Sequence, residues 1–405
     1  MNIAIIGGGA AGFFAAITAK NNHPEASVII FEKSKNVLSK VKVSGGGRCN
    51  VTNGCKTISE LSNAYPRGKN SLKKAFHIFS NKDAMDWFES KNVPLVVQDD
   101  NCVFPSSQDS QSIIDCFLTQ TKSLKIEIRT KLGVNKIKTD NSKLELSFTD
   151  IETQPKIFDK VIVTTGGSTK RKGLYWLEEL GHKIEPPVPS LFTFNMPSES
   201  VTNLMGIAVE KAFVSIQGTK LKSDGPLLIT HWGMSGPAIL KLSAFGARLL
   251  SEMKYEFNIQ VNWIEKQNNE AVMEDLKQIA IKHPNKILSN FRPYCLPDRL
   301  WCYLLEKCDI PLNKKWSEIG KKDLNKLIGN LTNDIYSVNG KTTFKEEFVT
   351  CGGISLESID FNTMQSKVIK NLYFAGEIMD IDGITGGYNF QAAWTTAFIA
   401  GKLAN

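Results

Sequence analysis

The run Asn2–Ile6 is short and apolar, and Gly7, Gly9 and Gly12 follow it in a G-x-G-x-x-G spacing that leads into the helical pattern Phe13–Lys20. Strand, glycine turn and helix in that order leave few folds open. Gly7 allows the tight turn, Gly9 lets a pyrophosphate approach the backbone, and Gly12 lets the helix lie against the strand. With only Ala10 and Ala11 beside them, the free N–H groups and the positive end of the helix are open to phosphate. A second apolar run, Ser27–Phe31, ends in Glu32 and Lys33, and Glu32 stands 20 residues after Gly12, where a carboxylate accepts ribose hydroxyls. That carboxylate repels a 2′-phosphate, so the expected adenosine belongs to FAD or NAD rather than NADP.

The far end of the chain separates these two. Asn371–Ala375 reads as a strand running into Gly376 and Glu377, and a glycine-rich loop then leads to a helical pattern over Gln391–Leu403. Gly386, Gly387, Tyr388 and Asn389 stand at that helix start, a second place for an anion or an oxygen. FAD needs a strand and helix start that return late in the chain to meet the ribityl and flavin, whereas NAD alone does not. We therefore expect these four residues beside the isoalloxazine. Asp382 either hydrogen-bonds the ribityl or phosphate region or is a solvated loop acid. Between the two ends, KLGVNKIKTD, KLELSFTD and KIFDKVIVTTGG read as strands with polar turns. They form either a β-meander that passes the chain back over a dinucleotide or a plain antiparallel sheet, and Val134, Thr165 and Gly166 are the candidate contacts there.

The stretch Ser44–Asn53, SGGGRCNVTN, sets Gly45, Gly46 and Gly47 in front of Arg48, Cys49 and Asn50. Bare backbone beside so many donors suits an anionic or hydrogen-bonding ligand better than a plain turn. Together with THWGMSGPAIL, VTCGGISLE, TMQSK and YFAGEIMDIDGITGGYNFQAAWTTAFIAG, this stretch resembles the bacterial NAD(P)/FAD-dependent oxidoreductase family that includes aminoacetone oxidase-like and BaiN-type flavoproteins. The resemblance runs from residue 1 to the C-terminus. It implies an α/β fold: a discontinuous, Rossmann-like FAD-binding domain of two-dinucleotide-binding type, with an inserted β-rich domain and a helical segment, and FAD held noncovalently. It also implies that Ser44–Asn50 lies against the cofactor and that Lys40 matches a family lysine. Leu38 stands in place of a glycine, Ser39 of an arginine and Cys351 of an alanine.

The expected division is 1–187 for the first part of the FAD domain, 188–264 for a β-rich insert, 265–338 for a helical segment and 339–405 for the return strand and the last part of the FAD domain. Short apolar runs and turns over Val188–Trp263 suggest the β-rich part, while AVMEDLKQIAIK and LNKLIGNLTNDI show helical spacing. No second G-x-G-x-x-G follows a strand, so no dedicated nicotinamide domain can be placed.

Eight cysteines include no C-x-x-C pair, which argues against a zinc ribbon and a thioredoxin-type disulfide, and points to idle thiols in a reducing cytoplasm. The N-terminus lacks a basic segment before its apolar run, and no apolar stretch has the length of a membrane span. No Ser/His/Asp order, metal-ligand cluster or P-loop lysine is present, which disfavours hydrolysis and phosphoryl transfer. Among five histidines, His231 alone sits in a family-like loop, where it either shuttles a proton for the substrate or is structural. Tyr388 is the other candidate catalytic side chain.

These features describe an oxidoreductase moving hydride between bound FAD and a small organic substrate or NADH or NADPH. The net charge of +8, with lysine pairs at Lys73–Lys74 and Lys314–Lys315, leaves an RNA-modifying flavoprotein as an alternative. That charge is too scattered to favour nucleic acid. A redox-sensing flavoprotein is the third reading.

Overall fold

A computed structural model describes residues 1–140, 142–342 and 349–404. The chain divides into two compact units, Met1–Ser190 with Phe344–Asn405 and Leu191–Thr343. The expected return segment from 339 includes residues 343–348, which lie outside the described residues.

The first unit is built on a seven-stranded sheet whose centre is parallel. β1 (Asn2–Ile6) lies between β2 (Ser27–Phe31) and Lys160–Val163. Leu372–Phe374 continues the sheet beyond Lys160–Val163, and Glu127–Arg129 lies beyond β2. The Gln365–Ser366 and Ile359–Asp360 strands add an antiparallel edge. From β1 the chain goes through helix α1 (Ala10–Asn22) to β2 on one side, while Lys160–Val163 and Leu372–Phe374 occupy the other side. The reversal at β1 creates the crevice at the carboxyl ends of the strands where doubly wound sheets bind ligands.

β1 and its neighbours are apolar on both faces because helices cover them. α1 is buried almost all round, from Ala11 to Ala19, and it packs against the C-terminal helix Tyr388–Gly401. Phe14 meets Trp394 with ring centroids 5.5 Å apart. A Cβ on Gly401 would come within 2.9 Å of the Ala15 carbonyl, so the absence of a side chain lets the two helices approach. Val134–Asp140, Lys143–Phe148 and Lys156–Phe158 form a separate three-stranded antiparallel sheet. The strand Lys160–Val163 then leaves it for the central sheet.

The second unit contains a seven-stranded antiparallel sheet and its own hydrophobic core. Its helices Asn269–Lys282, Asp298–Lys307 and Lys321–Thr332 occupy the stretch with helical spacing. A 16-residue helix, Pro237–Glu252, also interrupts the strands of the insert, where sequence patterning suggested only strands and turns. Pro237 opens it at the first helical position after Gly236, and Ile239, Leu242 and Leu250 fall on the buried side. The strands Asp334–Asn339 and Lys341–Thr342 belong to this unit.

Candidate functional site

The glycines after β1 differ in what surrounds them. Gly7 has φ +115°, and a Cβ there would lie 2.5 Å from the Thr164 carbonyl oxygen; one on Gly12 would lie 1.9 Å from the Gly7 oxygen. These two glycines are fixed by packing. Gly9 caps the start of α1, yet a Cβ on it would meet nothing within 4 Å. A bare position facing open space at a helix N-terminus fits a phosphate rather than a packing need. Ala10 and Ala11 form the turn behind it.

Glu32 receives the Gly8 N–H at 2.8 Å on one carboxylate oxygen and Ser34 N–H and hydroxyl at 2.8 Å on the other. Its neighbour Lys33 is exposed, and a Cβ on Gly133 would lie 3.1 Å from the Lys33 Cβ. Val134 is thereby brought to the Glu32 end of the crevice. On the opposite side of β1, Thr165 is exposed, and Gly166 has φ +75° with open space where its Cβ would stand.

The triple-glycine loop folds as a left-handed turn. Gly45 and Gly46 have φ of 57° and 69° within Ser44–Gly47, while Gly46 and Gly47 face open space. Arg48 lies over Phe104 at 4.1 Å and donates to Gln108 at 3.2 Å, so the loop flank is ordered by the protein itself. Cys49 is buried with φ +61°, and burial pushes its thiol up to about 12, which makes it a poor nucleophile. Asn50 accepts the Val103 N–H at 3.2 Å. Leu38 adopts φ +56°, a left-handed conformation that glycine takes without penalty.

The two ends of the chain meet here. Lys40 pairs with Glu377 at 2.8 Å, and Gly376, with φ +77°, sits against Ala11. Asn53 donates to the Gly386 carbonyl at 3.1 Å, and Trp394 donates to the Val51 carbonyl at 2.9 Å. Gly387 has φ +88°, and its missing Cβ would lie 2.3 Å from the Thr52 oxygen. Asn389 exchanges two hydrogen bonds with the Gly383 backbone, at 2.8 and 3.0 Å, and so closes the loop before the C-terminal helix. The Tyr388 carbonyl accepts from Tyr65 at 2.7 Å. Burial raises the Tyr388 phenol well above its ordinary range, so it stays protonated at neutral pH.

Asp382 is fully buried rather than solvated. Its carboxylate is held by a two-pronged ion pair with Arg67, whose Nε approaches to 2.5 Å, and by the Ser190 hydroxyl at 2.6 Å. Its desolvation raises its pKa despite Arg67. Arg67 and Ser190 had no motif to mark them in the sequence; only the fold brings them to Asp382. His231 belongs to the second unit, exposed at the turn after Lys222–Thr230, with its ring 3.9 Å from that of Trp232.

The open glycine positions, the helix start at Gly9, the ribose-type carboxylate and the late-returning loop together fit FAD. Among the described residues no cluster could hold a metal ion, and no helix is long and apolar enough to cross a membrane.

Comparison with known proteins agrees. The chain is 27% identical over 99% of its length to the 3-dehydro-bile acid delta(4,6)-reductase of Clostridium scindens, of which it covers 98%. It is 28% identical over 97% of its length to the ribosomal RNA dihydrouridine synthase of Escherichia coli, covering 95% of that protein. Its fold is similar to that of the 3-ketosteroid delta1-dehydrogenase of Sterolibacterium denitrificans, with a TM-score of 0.51, 11% identity and 98% of each chain covered. Residues 1–403 match the HI0933-like protein Rossmann domain family. The chain belongs to that family and is an FAD-dependent oxidoreductase.

Proposed function

We propose that this flavoprotein reduces a carbon–carbon double bond conjugated to a carbonyl group in a small organic molecule, with NADH or NADPH as the electron donor. One observation carries the reading: two relatives matched over nearly their full length have names that both describe adding hydrogen to a ring double bond, in a 3-oxo steroid acid and in uridine. Held by the helix start at Gly9, by Glu32 and by the loop at Gly386 and Gly387, FAD would supply the hydride chemistry of the reduction.

The remaining tasks fall to the chain. A proton must reach the α carbon, and Tyr388 Oη holds one at neutral pH because burial opposes its loss. His231, exposed on its turn, is the other candidate donor. The C-terminal helix starts at Tyr388 after Gly387, and the N–H groups of a helix's first turn favour negative charge on an adjoining ring. Lys40 adds a positive charge close to Glu377.

A second reading has the uracil ring of an RNA as substrate. The Escherichia coli relative's name favours it. Both are tested by bleaching the flavin anaerobically with NADH or NADPH, then adding either a conjugated steroid enone or uridine-rich RNA. Rapid return of the flavin band with the enone supports the first reading; return with RNA alone, steeply weakened by salt, supports the second. No return with either refutes both.

A further inference from the structure

Gln391 lies in the first turn of the Tyr388–Gly401 helix and is fully buried. Its amide stands in the middle of a chain of hydrogen bonds. The Thr52 hydroxyl donates to Gln391 Oε1 at 2.6 Å, Gln391 Nε2 donates to Thr395 Oγ1 at 3.0 Å, and the Thr395 hydroxyl donates to the Phe79 carbonyl at 2.9 Å. Thr52 and Thr395 are buried as completely as Gln391. A carbonyl can only accept, so Phe79 takes the single Thr395 proton and leaves Thr395 to accept from the Gln391 nitrogen. The direction of every bond is thereby fixed, with the amide oxygen turned to Thr52. An apolar side chain of the same size would fill this space as well; what the polar chain adds is a set geometry.

That geometry is imposed where two loops meet. Val51, Thr52 and Asn53 leave the triple-glycine loop, and all three are tied to the C-terminal segment: Val51 by the Trp394 indole, Thr52 by Gln391 and Asn53 by the Gly386 carbonyl. In the other direction the Gln391 N–H donates to the Gly387 carbonyl at 3.0 Å. One side chain and its own backbone therefore grip both the strand that leaves SGGGRCN and the loop that opens the last helix.

We propose that Gln391 is a positioning residue for the flavin chemistry: without touching the cofactor, it fixes, through Thr52 and Gly387, the start of the C-terminal helix where the N–H groups of its first turn favour the reduced, more negative state of the ring. The inference rests on the assignment of FAD to this crevice, with its ring beside Gly386 and Gly387.

The test separates position from stability. Gln391→Met keeps the volume, removes the amide and leaves Thr395 its bond to Phe79, so the Thr52 hydroxyl alone loses its partner. Without FAD this variant should melt about 2–8 °C below wild type. Adding Thr52→Val removes the stranded hydroxyl, and the double variant should melt within about 2 °C of wild type. FAD is then restored to each protein, and the potential of the bound flavin is measured by equilibration with a dye of known potential. The double variant should prefer reduced over oxidised FAD about tenfold less than wild type does, a potential about 30 mV more negative. Thr52→Ser, which keeps the hydroxyl, should match the wild-type potential. An unchanged or raised potential in the double variant would overturn the proposal, because the chain would then serve the fold alone. So would an equal shift in Thr52→Ser, which would trace the effect to the Thr52 methyl group. Should the double variant fail to fold, the same comparison is made between Thr52→Val and Thr52→Ser. Failure of wild type itself to bind FAD would instead remove the underlying assignment.

Discussion

Asp382 and Arg67 hold the loop that precedes the C-terminal helix, and the pair is almost wholly out of water, with side-chain exposures of 0% and 10%. Removing one member leaves the other as an uncompensated buried charge. Arg67→Ala should therefore cost about 3–5 kcal/mol, read as a shift in denaturant midpoint, whereas Arg67→Met combined with Asp382→Asn should recover most of that loss. His182 gives a separate handle through pH. It is buried, with Nε2 2.8 Å from the Ser366 hydroxyl, and burial depresses its pKa. The folded protein thus resists a proton that the unfolded chain accepts below about pH 6.5. Stability from this group is complete above that pH and is lost on acidification toward the lower folded value. Melting curves at pH 7.5 and 5.5 should show a smaller acid loss for His182→Gln than for wild type. Neither residue was legible beforehand, because a lone His or Arg carries no spacing that betrays its partner. Glu32 was legible because its distance from Gly12 is itself the signal.

The elements expected to bind the nucleotide are local in sequence, and for that reason they could be read directly. Strand, glycines, helix and second strand occupy one continuous stretch from Asn2 to Phe31. Structure adds that its glycines have unequal roles. Gly12→Ala puts a methyl 1.9 Å from a backbone oxygen and should give little folded protein. Gly9→Ala has room and should leave the melting point of the cofactor-free protein within about 2 °C of wild type while reducing FAD retained on purification, measured as the ratio of flavin to protein absorbance. The helix Pro237–Glu252 was missed although a Gly-Pro pair opens it, because the flanking strands set a period that hid the change. Gln391 was missed for a different reason: nothing in GGYNFQAAW reveals that its amide meets Thr52, 339 residues earlier.

Across the whole molecule, two separate hydrophobic cores accompany the two units. Calorimetry should resolve more than one unfolding transition, and added FAD should raise the transition of the unit that contains Met1–Ser190, by an amount that grows with FAD concentration. That unit is assembled from the two ends of the chain. Phe14 and Phe117 both pack on Trp394, with ring centroids 5.5 and 5.6 Å apart, and Trp394 reaches the ribosome exit 380 residues after Phe14. At bacterial or eukaryotic synthesis speeds this leaves the aromatic face of α1 uncovered for roughly tens of seconds. A growing polypeptide of this kind presents chaperones with a sticky, half-built nucleotide fold until the helix that carries Trp394 emerges, and a stop codon ahead of that helix would leave the first unit without its closing face.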